Sequence, residues 1–200
     1  MDEAEKAREP LDAREHPVDE NSPVPASGTL LAATAILEDP NFRDTIVLVC
    51  RHDADGAYGL VLNRPAHMPL REIFENLPVT GEGASLSRRV YIGGPVQPEE
   101  MQVLEVLRIG EDPVPEAVWL APSVFVGGRW DSLEAILGRP ASSLRLFLGY
   151  AGWGPGQLED EIAEGAWEVW SADLRRLLEA PESVWAGDGE SLRRYLEMRQ

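Results

Sequence analysis

A glycine-rich segment is the stretch of this sequence whose residue types and spacing most suggest a ligand site. It reads Gly149-Tyr-Ala-Gly-Trp-Gly-Pro-Gly156. An apolar strand, then glycines, then a helix N-terminus is a layout that can hold a phosphate group. However, the segment lacks the Lys-Ser/Thr pair of a P-loop and the G-x-G-x-x-G spacing of a dinucleotide site. Glu159, Asp160 and Glu161 also fall in the first helical turn, where they would repel an anion.

Two interpretations of this segment stay open. The favoured one is a tight strand-to-helix crossover with Trp153 packed on the core, because glycine's backbone freedom alone explains the composition. The other is a ligand site, since loops at strand ends often carry binding residues. Asp160, Glu161 and Glu164 of the following helix are expected on a solvated face. The residues that would contact a ligand are Gly152, Trp153, Gly154, Gly156 and Gln157.

Cys50 and His52 form a second candidate site, because alternate residues of a strand point to the same face. A thiol beside an imidazole suggests nucleophilic catalysis, and His52 could serve as a general base. Cys50, however, lies within an apolar run that is typical of a buried, unreactive thiol. The favoured interpretation is a buried cysteine and a strand-end histidine that hydrogen-bonds the adjoining hairpin. Asp53 and Asp55 lack the later ligands of a calcium loop and are typical of a turn.

Two short motifs complete the set of candidate binding residues. Asn63-Arg64-Pro65 ends an apolar run, and Arg64 could bind a carboxylate or phosphate. A pairing of Arg64 with one of the many acidic side chains is favoured. Gly93 and Gly94 begin a Gly-Gly-Pro-Val turn, whose simplest interpretation is turn chemistry. No cofactor or metal site is predicted, because only three histidines occur and the G-x-S-x-G, H-E-x-x-H and C-x-x-C motifs are absent.

Strands and helices that must position these residues follow from the apolar periodicity. They mix without a regular βαβ alternation, which favours a mixed sheet over a purely parallel one. Asp55-Gly56 predicts a hairpin turn. Strands are predicted at 30–37, 45–50, 57–62, 90–92, 103–109, 118–120, 124–126, 144–150 and 167–170. Helices are predicted after Pro65 (around 70–77), from Asp131, at 157–164, from a Ser171 cap to just before Pro181, and at 190–198.

Composition excludes several classes of protein. The chain has 200 residues, 44% of them hydrophobic, and a net charge of −17 from 18 basic and 35 acidic residues. Such a surface disfavours direct DNA binding, which depends on Lys and Arg neutralising phosphates. A single cysteine allows no intramolecular disulfide and fits a reducing compartment. No apolar run is long enough to span a membrane and no signal peptide is expected, so a soluble cytoplasmic protein is predicted.

The first 27 residues are expected to form a tail rather than part of the core. They hold eight acidic and three basic residues, four prolines and few large apolar side chains. Such a segment cannot bury enough surface to offset its ordering entropy, so residues 1–27 are predicted to be disordered. Residues 28–200 are predicted to form a single domain.

Three motifs in order give the chain a resemblance to the YqgE/AlgH family. The first runs from Gly28 through Asn63-Arg-Pro65, the second is the Gly93-Gly-Pro-Val96 turn, and the third is the glycine-rich segment continued to Trp167. The resemblance extends to about Trp185. It implies an α+β fold with a bent, partly barrel-like mixed sheet flanked by helices. It implies no reaction, although members of the family are often labelled transcriptional regulators.

The chain departs from the family pattern at two places. After the Gly-Gly-Pro-Val turn the family often has a Gly-Phe-Val-Leu-His stretch, where this chain has Met101-Gln-Val-Leu-Glu105 and lacks the histidine. No role that depends on that histidine is therefore predicted for this chain. Arg51 stands where an acidic residue is common.

Three functions remain open from the sequence. The first is a non-enzymatic binding or regulatory protein, with a protein or small molecule as its unidentified partner. Its surface would combine His52, Asn63, Arg64, the Gly-Gly-Pro-Val turn and the Gly-Trp-Gly loop, which are then predicted to converge in space. The second is a hydrolase that uses His52 as general base. The third is a transcriptional regulator, although the net charge disfavours direct DNA binding.

Overall fold

The computed structural model describes residues 25–67, 89–107, 112–113, 117–128, 144–171, 173–185 and 189–198. These residues form nine strands and four short helices. The strands are β1 (Leu30–Ala33), β2 (Ile46–Asp53), β3 (Gly56–Val61), β4 (Val90–Ile92), β5 (Val96–Val106), β6 (Val118–Ala121), β7 (Val124–Gly127), β8 (Leu144–Trp153) and β9 (Trp167–Trp170). The helices are α1 (Gln157–Ala163), α2 (Leu174–Leu178), α3 (Glu182–Trp185) and α4 (Gly189–Glu197).

The strands form a mostly antiparallel sheet in the order β6-β7-β5-β8-β3-β2-β1-β9. Strand β4 lies off this path and pairs with β8 in parallel. The described strands leave the sheet open, with β6 and β9 at its two ends. The predictions of an α+β fold and of a mixed sheet are confirmed.

Strand β8 is the element that joins the two parts of the sheet. Its first part pairs with β5 and β4, whereas its last three residues, from Ala151 to Trp153, pair with β3. Gly149 lies at the change of partner with φ of +67°, and a Cβ there would lie 2.5 Å from the carbonyl oxygen of Gly94. Glycine is therefore required at this position, because no other residue fits both the conformation and the close approach.

The β2–β3 hairpin turns one residue before the predicted Asp55-Gly56 pair. Asp53 pairs with Gly56 across the two-residue loop Ala54-Asp55, so Gly56 is the first residue of β3, with φ of +124°. A β-bulge interrupts the pairing between Val49 and Arg51. Such a bulge bends its strand and re-aims the side chains that follow it.

Two apolar clusters lie on opposite faces of the sheet because strand residues alternate in direction. The larger cluster contains Leu30, Leu48 and Cys50 and packs against helices α2 and α4. The smaller cluster contains Leu31 and Val47 and packs against α1. Cys50 and α1 thus lie on different faces.

Several predicted elements have different limits in the structure. Strand β1 ends at Ala33, because residues 34–45 form turns instead of continuing the predicted strand to 37. Strand β5 begins at Val96, seven residues before its predicted start. The early start was missed because this part of the strand is exposed and polar and shows no apolar alternation. Helix α3 was not predicted, since a four-residue helix has no detectable periodicity.

The cap of α2 also differs from the prediction. Asp173, not Ser171, caps the helix, and its side chain accepts a hydrogen bond from the Arg176 N–H. Two residues separate these alternatives, and both types are good caps. The helices predicted around 70–77 and from Asp131 lie outside the described residues.

The chain becomes part of the packed structure by Pro25, which is buried. Ala26 N–H donates to Thr29 Oγ1 at 3.1 Å. Pro25, which the sequence assigns to the tail, contacts β2 through the hydrogen bond that its carbonyl accepts from His52. In the described ranges, no helix combines the length and apolarity needed to cross a bilayer.

Candidate functional site

His52 joins three segments that are distant in sequence. Its Nδ1 lies 2.6 Å from the carbonyl oxygen of Pro25, and its Nε2 lies 2.8 Å from Glu159 Oε1 on α1. A carbonyl can only accept, so the Nδ1 atom donates. The predicted bond to the hairpin itself is wrong, because the ring faces Pro25 and α1.

This geometry separates His52 from Cys50. The Cys50 thiol lies in the larger core cluster and donates to the Leu48 carbonyl at 3.6 Å. Burial raises its pKa above its ordinary value, which keeps the thiol protonated. His52 contacts α1, which packs on the smaller cluster. The β-bulge between them places the two side chains in different environments, and no thiol–imidazole pair forms.

The glycine-rich segment carries a hydrogen-bond network centred on Glu161. One carboxylate oxygen, Oε2, accepts from Trp153 Nε1 at 2.9 Å and from Trp167 Nε1 at 2.8 Å. The other oxygen accepts from Gln157 Nε2 at 2.9 Å. Gln157 Oε1 in turn accepts from the Gly154 N–H at 3.1 Å. The expectation of a solvated face is wrong for Glu161, because two indole donors converge on it.

Aromatic packing fixes the same region. The Trp153 and Trp167 rings meet edge to face at 6.1 Å between centroids, and Phe42 lies 6.2 Å and 5.9 Å from them. Trp153 is only 6% exposed. These contacts support the crossover interpretation, in which the segment inserts Trp153 into the core.

The two glycines flanking Trp153 are not explained by that crossover. Gly154 is exposed, its φ lies outside the left-handed range, and a Cβ there would meet only the Gln157 side chain at 3.9 Å. Gly152 is also exposed, and its Cβ would make only ordinary contacts, at 3.4 Å or more. Gly156 differs, because its φ of +74° at the start of α1 is a left-handed conformation that favours glycine.

Asn63 and Arg64 bind the loop before β2. Asn63 Oδ1 accepts from the Ile46 N–H, and its amide nitrogen donates to the Asp44 carbonyl, both at 2.9 Å. The Arg64 guanidinium donates to the Pro40 and Arg43 carbonyls at 2.8 and 3.0 Å. The predicted pairing of Arg64 with an acidic side chain is therefore wrong, because backbone carbonyls take its donors.

The Gly-Gly-Pro-Val turn packs between β3 and β8. Gly93 donates to the Leu148 carbonyl and accepts from the Val61 N–H, both at 2.8 Å. A Cβ on Gly94 would lie 2.2 Å from the backbone of Tyr150. Close backbone approach, and not turn chemistry alone, explains these two glycines.

The candidate residues therefore do not all converge. His52 and the glycine-rich loop lie together through Glu159, whereas Asn63 lies beside Ile46 at the other end of β2. Six residues of extended strand separate Ile46 from His52, a distance of about 20 Å. The Gly93–Gly94 turn adjoins β3 through Val61 and β8 through Leu148.

The surface around His52 and the loop is acidic. Asp53, Asp55, Glu159 and Asp160 are exposed there, and Arg51 offsets only Asp53, at 3.3 Å. In the described part of the chain, no group of three His, Cys, Asp or Glu side chains is arranged to hold a metal ion.

Sequence reasoning missed Pro25, Glu159 and Glu161 as partners in this region. The carbonyl of Pro25 carries no side-chain signal at all. Glu161 lies four residues after Gln157, the spacing that places two side chains on one helix face, which was the one available indication. No local sequence pattern indicates that Trp167, on β9, donates a hydrogen bond to the Glu161 carboxylate.

Comparison with known proteins identifies the same region of the chain. The AlgH-like family model matches residues 29–193. A UPF0301 protein of Anaeromyxobacter dehalogenans is 42% identical over 187 residues, which cover 82% of this chain and 93% of that protein. A UPF0301 protein of Chlorobaculum tepidum is 34% identical and covers 80% and 82%.

Two solved structures share the fold. The solution structure of the AlgH protein from Pseudomonas aeruginosa has a TM-score of 0.67 and 30% identity, covering 90% of this chain and 91% of its own. The crystal structure of a protein from Corynebacterium diphtheriae has a TM-score of 0.68 and 27% identity, covering 88% and 90%.

Proposed function

This chain belongs to the AlgH-like family, and from its geometry we propose that it is a non-enzymatic binding or regulatory protein. Its binding surface comprises the segment from Gly152 to Gln157, which is exposed except for the buried Trp153, with the adjoining His52–Glu159 pair. We call this the loop surface. His52 and the glycine-rich segment are the predicted site residues that lie together. Asn63 and Arg64 are not part of this surface, because their side chains bind the loop before β2.

The observation that carries the proposal is the occupation of both His52 nitrogens. A general base needs an imidazole nitrogen that accepts a proton from a substrate or a bound water. Here Glu159 Oε1 lies 2.8 Å from Nε2, where that proton would approach, and Pro25 occupies Nδ1. The nearby thiol is buried and protonated. This arrangement supports a role in holding structure over one in catalysis.

The glycines flanking Trp153 support the choice of surface. Neither φ nor packing requires glycine at position 154, which is exposed. A side chain is therefore sterically tolerable in the isolated protein. Close approach of a partner to the backbone is a separate reason for glycine at such a position, and it accounts for Gly154 and Gly152 together.

The charge of the loop surface restricts the partner. Glu159 and Asp160 occupy the first turn of α1, the position that a bound anion would otherwise favour. A phosphate group would meet repulsion there. We therefore propose a neutral or basic protein or small molecule as the partner and disfavour nucleic acid. With a single cysteine and no disulfide, we propose the cytoplasm as its location.

The test compares partner capture by three forms of the full chain. Wild-type protein, Gly154→Arg and the control Ser183→Arg, which adds the same charge at an exposed site on α3, are used as bait, and captured proteins and metabolites are identified by mass spectrometry. Each captured candidate is then purified and titrated against all three forms.

The expected result is a partner with at least tenfold weaker binding to Gly154→Arg and unchanged binding to Ser183→Arg. Equal binding to all three forms would contradict the loop surface. Two other outcomes would favour the alternatives. Turnover of a captured metabolite that is lost in His52→Ala would support a hydrolase, and a gel shift of genomic DNA at physiological salt would support direct DNA binding.

A further inference from the structure

The outer edge of β9 presents backbone groups that no described strand pairs. Ala33 N–H donates to the Thr45 carbonyl on the β2 side, whereas Thr34 N–H donates to the Ala166 carbonyl on the β9 side. Antiparallel strands alternate in this way. Even-numbered residues of β1 therefore pair with β9, through Glu168 and Trp170 in the observed register.

Val169 is consequently directed away from β1. Its N–H and C=O point outward. The Ser171 N–H points the same way, because it lies opposite the Trp170 carbonyl in one peptide unit and that carbonyl faces β1. Among the described residues, β9 pairs only with β1. Val169 is half-buried and Ser171 is exposed. Unpaired groups of this kind can serve as a template for an additional strand.

A groove of about 750 Å³ runs along this edge. Helix α4 forms its opposite wall through Arg193 and Glu197, which are one helical turn apart. The Arg193 guanidinium lies 4.6 Å from the centre of the Trp170 ring and 3.1 Å from Glu168 Oε2. The groove is lined by Glu168, Val169, Trp170, Ser171, Asp173, Arg193 and Glu197.

The charge of the groove selects the occupant. Three carboxylates line it, and two of them are already paired with arginines, Glu168 with Arg193 and Asp173 with Arg176. Glu197, exposed at the end of α4, is the lining carboxylate that forms no ion pair with a described residue. An incoming segment with basic side chains gains favourable interactions here, and an acidic one is repelled.

We propose that the outer edge of β9 binds an extended, basic segment of a partner protein as an additional β-strand. Backbone hydrogen bonds to Val169 and Ser171 would provide affinity, and the carboxylate of Glu197, which no described residue pairs, would favour lysine or arginine. The acidic first 24 residues of this chain carry the wrong charge for this groove. A second copy would bring two acidic edges together, which is unfavourable for the same reason.

This proposal concerns a surface other than the loop surface and can be tested apart from it. The probe is the acetylated and amidated peptide Lys-Thr-Lys-Val-Lys-Thr-Lys, added to the ¹⁵N-labelled full chain at low salt. One control peptide has glutamate for every lysine. A second keeps the lysines but carries N-methyl groups on alternate backbone amides, so that it cannot pair with a strand edge.

We expect the lysine peptide to shift the Val169 and Ser171 amide resonances and the two control peptides to bind at least tenfold more weakly. Glu197→Lys should weaken binding at least fivefold, whereas Glu164→Lys, an equal charge change at the exposed end of α1, should not. Gly154→Arg should have no effect, which separates this result from the test of the loop surface.

Val169→Pro provides a second variant, because it removes the outward N–H without removing a bond to β1. It should abolish binding of the lysine peptide while the β1 amide shifts are kept. The proposal is overturned if the lysine and glutamate peptides bind equally, if the shifts lie away from β9, or if Glu197→Lys behaves like Glu164→Lys. Concentration-dependent shifts at Val169 without peptide would instead identify a second copy as the occupant.

Discussion

His52 Nε2 and Glu159 Oε1 lie 2.8 Å apart, although 107 positions separate the two residues in the chain. The other ring nitrogen of His52 donates to the Pro25 carbonyl. Together the two hydrogen bonds connect the segment before β1, the end of β2 and the start of α1. The histidine is 10% exposed and the glutamate 47% exposed. The bond to Pro25 is thus the more protected of the two.

Removal of this histidine should destabilise the fold. His52→Ala leaves the Pro25 carbonyl without its donor, and we expect a loss of about 1–3 kcal/mol in the free energy of unfolding. Urea unfolding followed by tryptophan fluorescence measures the change. Asp160→Ala, on the exposed face of the same helix, should change stability by no more than about 0.5 kcal/mol. An equal change in the free energy of unfolding for the two variants would show that the hydrogen bonds of His52 do not stabilise the fold.

The Glu161 carboxylate should be one of the main polar contributors to stability in the described chain. Glu161→Ala leaves the Trp153 and Trp167 indole N–H groups without their acceptor, at about 1–3 kcal/mol for each buried donor. Chemical unfolding gives the total, and the indole N–H resonances report each donor separately. The matched control is Glu164→Ala, one turn later on the exposed face. A stability like that of the wild type would mean that water replaces the carboxylate.

Cys50 should make the protein less stable in alkali. Burial raises the pKa of its thiol in the folded state. The contribution of the protonated thiol to the free energy of unfolding is therefore complete below the pKa of the unfolded state, and it is lost progressively as the pH rises above that value. Above about pH 8.5, where an unfolded thiol ionises, stability should fall with a limiting slope of about 1.4 kcal/mol per pH unit.

Cys50→Val is the control for this slope, because it fills a similar volume and cannot ionise. Urea midpoints between pH 7 and 10 should fall less steeply in the variant. Burial also raises the pKa of the Tyr58 phenol, and that residue is retained in both forms. Rapid alkylation of Cys50 by iodoacetamide in the native protein at pH 8 would contradict the buried, protonated thiol.

Gly154 and Gly156 should respond in opposite ways to the same substitution. Gly154→Ala meets no steric obstacle and should leave stability unchanged or raise it by about 0.4–1 kcal/mol, because alanine restricts the unfolded chain. Gly156→Ala forces a side chain into φ of +74° and should cost about 1–2 kcal/mol. Thermal unfolding of the two variants compares them directly. A loss at Gly154 as large as at Gly156 would assign Gly154 a structural role.

Local patterns in the sequence determined much of the sheet. Strand β4, strand β9 and the crossover into α1 lie where periodicity and turn residues predicted them, and the β2–β3 hairpin turns within one residue of its predicted position. Each depends on the conformational preferences of neighbouring residues, which a single sequence displays. The β-bulge near Cys50 has no such signal, and it separates the thiol from His52.

Partners across the fold were decided by tertiary structure alone. His52 meets Pro25, Arg64 meets the Pro40 carbonyl, and Glu161 meets Trp167 only because the order of strands brings their elements together. Backbone carbonyls and distant carboxylates leave no mark in the local pattern, since every residue carries a carbonyl and this chain has 35 acidic side chains. The sequence alone determined which residue types were available, and the packing of the sheet decided which of them became hydrogen-bond partners.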